Sequence, residues 1–145
     1  MRAGGVKPGS LNPVVLAFMG DAVYERYVRE HVINSGIRHA DELHKAAVGY
    51  VCAGAQAKAA RSLLESTLTE EETAILKRAR NHKNTASKRA KAGKKGSDPM
   101  TDKLATAFEA LIGHLYLSHE DERLEELIIK AIEIIETDMK GRAAK

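Results

Sequence analysis

A chain of 145 residues with 43% hydrophobic content has room for one domain with a sizeable core, and none of its apolar runs is long enough to cross a bilayer. The sole cysteine, Cys52, excludes an internal disulfide, and the stretch from Met1 to Gly9 lacks the apolar core of a signal peptide, so the cytoplasm is the expected compartment. The net charge of +3 hides a segregation. Residues 73–97 hold nine basic residues and no Asp or Glu, leaving fourteen basic residues against twenty acidic ones elsewhere. One cationic segment on an otherwise acidic domain points to a polyanionic partner.

Residues 1–11 read as disordered or loosely attached. Asn12-Pro13 then reads as an N-cap followed by a first-turn proline, so the pattern predicts a helix from Pro13 to Val32 or Asn34, stopped by Gly36. Its first half, Leu16 to Tyr24, is apolar on every face except at Asp21, the pattern of a buried helix. A buried carboxylate is costly unless paired or bound to a metal. Gly20 stands beside it, where a glycine costs about 1 kcal/mol relative to alanine, so close approach of another backbone is expected. The second half is amphipathic, with Tyr27 and Val28 inward and Arg26, Arg29 and Glu30 outward.

From Ala40 to Glu65 the pattern is again helical, and Gly49 and Gly54 predict a short helix then a longer one, or a tight crossing. Val48, Val51, Cys52, Ala55 and Ala59 supply small apolar faces for packing. Thr69-Glu70-Glu71-Glu72 is a capping box that opens a helix reaching Ala79 to Asn81, with Ile75 and Leu76 inward. Residues 82–97 lack any apolar period and read as a mobile loop with a possible helical extension at Ala86–Ala92. Asp98-Pro99 and Thr101 start the next helix, which runs to Leu117. It mirrors the first. Glu109 is the acid, Gly113 follows one turn later, and Ala105, Glu109 and Gly113 form a narrow stripe of small residues around the carboxylate. A last helix, Glu120 to Met139, turns Leu124, Leu127, Ile128, Ala131, Ile132 and Ile135 inward. Nothing alternates as a strand would. The fold class is all-α, with six or seven helices.

Two acids on two glycine-notched helices can share a proton, pair with a buried cation, or bind a divalent metal. The residues alone leave these open. The stretch Leu16-Ala17-Phe18-Met19-Gly20-Asp21-Ala22-Val23 resembles the ribonuclease III signature, whose core reads Glu-Phe-Leu-Gly-Asp. The stretch Thr106-Ala107-Phe108-Glu109-Ala110-Leu111-Ile112-Gly113 resembles that family's second motif, Asp-x-x-Glu-Ala-Leu-Ile-Gly. The likeness spans about residues 11–138 and includes Asp41-Glu42-Leu43-His44-Lys45 and Leu76-Lys77-Arg78-Ala79-Arg80-Asn81. Ala17 stands where the family has Glu, and Thr106 where it has Asp. Of the four carboxylates that ordinary members gather, Asp21 and Glu109 remain. That reduced set, and the missing double-stranded RNA-binding domain, resemble the compact bacterial branch, Mini-ribonuclease III.

The resemblance implies a ribonuclease III-type helical endonuclease domain over residues 1–145, acting as an Mg²⁺-dependent homodimer on double-stranded RNA. The branch's task is trimming the precursor of large-subunit ribosomal RNA, with a large-subunit ribosomal protein as a further possible partner. Asp21 and Glu109 become the catalytic and metal-holding pair, which suffices because Mg²⁺ binds through one or two carboxylates plus the substrate phosphate. Thr106 is placed to orient a water but cannot replace a charge. Lys77, Arg78, Arg80, Lys83, Lys88, Arg89, Lys91, Lys94 and Lys95 become the RNA-binding set, since A-form RNA is read by shape through phosphates and 2′-hydroxyls. Asn81, His82 and Asn84 are candidates for added contacts. Phe18 is read as core or, by the family's habit, as dimer interface. His44 and Lys45 face RNA or simply solvent, and His114 lies at a core edge or an interface. Three other readings remain at this stage: a structural ion pair at Asp21 and Glu109, a catalytically inactive RNA-binding protein of ribosome assembly, and a metal-dependent nucleotide hydrolase.

Overall fold

The computed structural model describes residues 5–83 and 98–143. Among them lie six α-helices, one short 3-10 turn and no strand: α1 Pro13–Asn34, α2 Ala40–Val51, α3 Ala53–Ser66, α4 Glu70–Asn81, α5 Pro99–Leu117 and α6 Asp121–Ala143. The all-α expectation holds. The turn, Pro8–Ser10, precedes Leu11, which packs against the core. The helical extension foreseen at Ala86–Ala92 lies outside the described residues.

Local chemistry sets the helix ends. The Asn12 side chain accepts the Val14 N–H at 2.8 Å, and Pro13 fills the first turn of α1. Gly36, at φ +103°, lies just past its end, in the left-handed region that favours glycine. The foreseen capping box opens α4: Glu72 N–H donates to Thr69 Oγ1 at 3.1 Å, and Thr69 N–H to Glu72 Oε1 at 2.9 Å. Asp98 Oδ1 accepts from Thr101 N–H at 3.0 Å and opens α5. At the far end of α5, His119 takes φ 59°, and Glu120 N–H reaches back to the Leu115 carbonyl at 3.0 Å.

The split between α2 and α3 falls at Cys52, whose extended backbone (φ −65°, ψ 155°) serves both helices, rather than at either glycine. That break resets the helical phase. Ala47, Tyr50, Ala53, Ala57 and Ala60 turn inward, whereas Val48 and Cys52, read as packing residues, are exposed. Ala59 is buried as foreseen.

Helix α5 is the axis of the molecule. It is buried at Leu104 to Gly113 without a gap, and α1, α3 and α4 pack around it. Helix α2 lies on α1, and α6 closes against α3 with all six of its foreseen apolar positions buried. Tyr24 and Phe108 meet edge to face, ring centroids 5.0 Å apart, inside the core. The expectation of an all-round buried α1 fails on one side: Phe18 is 75% exposed and Val15 49%. Both point away from the α5 contact, so the apolar character of that side needs another reason than the core. Phe18 is therefore not a core residue of the single chain.

Candidate active site

The site begins at a contact between two backbones. A Cβ added at Gly20 would collide with the Glu109 carbonyl, and one added at Gly113 with the Leu16 carbonyl. The two glycines face each other across the α1–α5 crossing, as their positions beside the two acids foretold. Asp21 follows Gly20, and Glu109 supplies the carbonyl that Gly20 touches, so the two acids are joined to one crossing.

Their environments differ. Glu109 is 1% exposed, whereas Asp21 is half-buried and not enclosed as its apolar neighbours suggested. Among the described residues Asp21 has no ion-pair partner, which removes the structural ion-pair reading from that acid. Burial first, then the nearby Cys52, Tyr50 and Glu109, push the Tyr24 hydroxyl above its ordinary range, so the Glu109 charge is felt at Tyr24. Ala17 and Thr106, at the positions of the family's missing carboxylates, are both fully buried.

Two polar residues here escaped the sequence reading. Gln56, on the first turn of α3 and 1% exposed, donates from Nε2 to Glu109 Oε2 at 3.4 Å and to the Val51 carbonyl at 3.1 Å. Its signal was present: a long amide on the stripe that Ala53, Ala59 and Ala60 bury. Asp102, two turns before Glu109, is 9% exposed, and its Oδ1 has no hydrogen-bond partner. It sits in the first turn of α5, where the helix dipole favours an acid.

The basic residues divide. Lys77, Arg78 and Lys83 are exposed, and Arg80, half-buried, donates from Nε to Asn81 Oδ1 at 3.1 Å. Helix α4 is anchored by Glu72, which pairs with Arg123 just beyond the end of α5, so α4 runs back along α5 with its basic end toward the start of that helix. Lys88, Arg89, Lys91, Lys94, Lys95 and Asn84 lie outside the described residues. Asn81 is exposed and His82 half-buried. His44 and Lys45 are on the solvent side of α2. His114 is half-buried, and burial lowers its pKa, as suits a core-edge histidine.

Among the described residues no three His, Cys, Asp or Glu side chains gather as a metal cage. What remains, two carboxylates joined to one crossing, Asp21 half-buried and Glu109 buried, is an oxygen-only donor set. It fits Mg²⁺, which keeps waters and completes its shell with a substrate phosphate, and does not fit a closed protein cage. A groove between α3 and α6 is lined by Lys58, Arg61, Lys130, Glu133 and Arg142, among others, and includes neither acid.

The ribonuclease III domain profile matches residues 14–120. The Mini-ribonuclease 3 of Brevibacillus brevis is 46% identical over 129 residues, covering 89% of this chain and 91% of the relative. That of Symbiobacterium thermophilum is 40% identical, covering 89% and 94%. A crystal structure of a Fusobacterium nucleatum protein superposes with a TM-score of 0.72 at 30% identity, covering 86% of this chain and 93% of the other. Among the described residues no helix is long and apolar enough to cross a membrane.

Proposed function

The chain belongs to the ribonuclease III family, in its Mini-ribonuclease 3 branch, and on that premise we propose that it is an Mg²⁺-dependent endoribonuclease cutting double-stranded RNA as a homodimer. The observation that supports the proposal is the glycine crossing, where Gly20, the neighbour of Asp21, lies against the backbone of Glu109. Bound Mg²⁺ would supply a more acidic water and neutralise charge on the phosphate. Asp21 and Glu109 would hold it. The more exposed Asp21 would meet the approaching phosphate, and the buried Glu109 would hold the ion from the protein side. With Ala17 and Thr106 uncharged, the site carries two formal negative charges, so tight metal binding depends on the phosphate that RNA brings. Thr106 contributes a hydroxyl to the buried side of the site and no charge.

Lys77, Arg78, Arg80 and Lys83, with the basic residues of the following segment, are assigned to the RNA backbone. They neutralise phosphates without reading bases. Assembly is supported by Phe18 and Val15, exposed together on α1, and by a groove on the same helix lined by Met19, Val23, Tyr27, Tyr116 and Leu124, with Arg26 and Asp121 at its charged positions. A twofold axis through such a face gives one site to each strand. Trimming of the precursor of large-subunit ribosomal RNA in the cytoplasm, with a large-subunit ribosomal protein presenting it, is the task we assign.

A second reading, an RNA-binding protein without activity, draws on the two-carboxylate set: among the described residues no third His, Cys, Asp or Glu gathers with the pair as a metal cage. One assay separates the two: incubation of duplex RNA with and without Mg²⁺. Cleavage that needs Mg²⁺ establishes the enzyme. Retention of intact duplex under both conditions establishes the binder.

A further inference from the structure

We propose that Gln56 is a positioning residue for the active site, fixing through Glu109 Oε2 the orientation in which that carboxylate meets the cation. The inference rests on the metal-dependent reading above.

The Nε2 of Gln56 bears two hydrogens and lies within reach of two acceptors, Val51 O at 3.1 Å and Glu109 Oε2 at 3.4 Å. Both bonds come from the same nitrogen, so the side chain cannot flip without losing both. The Val51 carbonyl belongs to the last residue of α2 and the amide to the first turn of α3. Gln56 thus ties the elbow at Cys52 to the carboxylate on α5. A residue needed only to finish α2 would require the Val51 bond alone. An amide 1% exposed that also meets a carboxylate 1% exposed has a second task.

That task follows from donor chemistry. An N–H donor is complementary to the ionised carboxylate, the form a cation requires. A donor on one oxygen restricts the rotation of the whole carboxylate, and partners of this kind fix the orientation of metal ligands elsewhere. Here the need is greater, because two acids rather than four hold the ion. Loss of such a partner costs about 10- to 100-fold in metal affinity or activity.

The test uses the full chain with Gln56→Met, an unbranched side chain of similar length that cannot donate. Free Mn²⁺ is counted by electron paramagnetic resonance at 10 °C over metal-free protein, with circular dichroism on the same sample. Cleavage of duplex RNA is titrated with Mg²⁺. The expected result is Mn²⁺ affinity lowered about tenfold or more, a matching rise in the Mg²⁺ needed for half-maximal cleavage, and lower kcat. KM for RNA should move less than twofold. A folded variant with unchanged Mn²⁺ affinity overturns the proposal. If the Met variant is unfolded at 10 °C, Gln56→Ala, whose space a water can enter, is measured in the same way. Loss of fold in both assigns Gln56 to the helix elbow and overturns the proposal. A wild-type protein that fails to cleave with Mg²⁺ refutes the enzymatic reading. Wild-type cleavage matched by the Met variant refutes only the role of Gln56.

Discussion

At the scale of single residues, Asp21 separates chemistry from architecture. It is half-buried and has no ion-pair partner among the described residues, so its charge contributes little to holding the fold. Asp21→Asn keeps the shape and removes the charge. Cleavage should disappear, duplex RNA binding should persist, and stability should stay within about 0.5 kcal/mol of wild type. Thermal melts, gel shifts and cleavage on one preparation check this; retained cleavage would refute the metal reading. Gly20 is the opposite case. A methyl group there meets the Glu109 backbone, which cannot retreat without separating α1 from α5. Gly20→Ala should cost more than about 4 kcal/mol, if the protein folds at all. Gly54→Ala adds the same methyl where nothing lies within 4 Å, and should stabilise by about 0.5 kcal/mol through helix propensity. Urea unfolding of the two variants makes the comparison.

At the scale of elements, two polar clusters lock helix ends that apolar packing leaves loose. Arg123, at the start of α6, donates to both oxygens of Glu72, at 2.7 and 2.8 Å, and to the Thr67 carbonyl at 3.0 Å. Its guanidinium, with the Thr69 backbone, holds the Glu72 carboxyl below its ordinary pKa against the opposing effect of burial. The stabilisation is present in full above the ordinary carboxylate range and is lost as pH falls from that range through the lowered folded value. Arg123→Ala leaves a buried acid without its partner and should cost about 3 kcal/mol at neutral pH. The loss should shrink in acid, and chemical denaturation at pH 7 and pH 3 measures both. The second cluster joins α1, α2 and α6. Tyr24 donates to the Tyr50 carbonyl at 3.0 Å, and both Tyr50 Oη and His31 Nε2 meet Glu136 Oε2 at 2.7 Å. Burial, chiefly, raises both tyrosine hydroxyls above their ordinary value of 10.0. A group whose folded pKa is raised stabilises below its unfolded pKa and loses that contribution above it. Melting temperature should therefore fall as pH rises past 10, less steeply in Tyr50→Phe, which starts lower but has one hydroxyl fewer to ionise. Equal slopes in the two proteins would refute the assignment.

For the whole molecule, the legible part of the sequence was the part governed by local rules. Caps at Asn12, Thr69 and Asp98 and the period of α6 are written within a few residues, and the structure follows them. The two motif glycines were legible because glycine inside a helix demands a reason. Less legible was whatever depends on what faces what. The break at Cys52 has no glycine or proline of its own, so Val48 was assigned to the wrong side. Phe18 reads as core because hydropathy cannot tell a buried apolar face from an exposed one. Gln56 was overlooked because its partner stands 53 residues away. The exposed face of α1 gives an expectation for assembly: light scattering should find twice the 15.8 kDa chain mass, and Phe18→Glu should return the single chain with its helix content intact. A monomeric wild type that still cuts both strands would remove the dimer from the mechanism. RNA affinity should fall with salt in proportion to the phosphates engaged, and replacing Lys77, Arg78 and Lys83 by Ala should flatten that slope.

The α1–α5 crossing also bears on how the chain reaches its native state. Leu16 and Gly20 meet Gly113 and Glu109 across some ninety intervening residues, so their contact closes a long loop before any backbone reward is gained. Contacts of such separation slow folding, and a central helix that organises the core places this closure on the main route. During synthesis, α1 emerges with its acid but waits for α5, so a growing chain holds only half of the proposed site. Hydrolytic competence then appears together with cooperative burial of the core, and a partly folded chain carries neither.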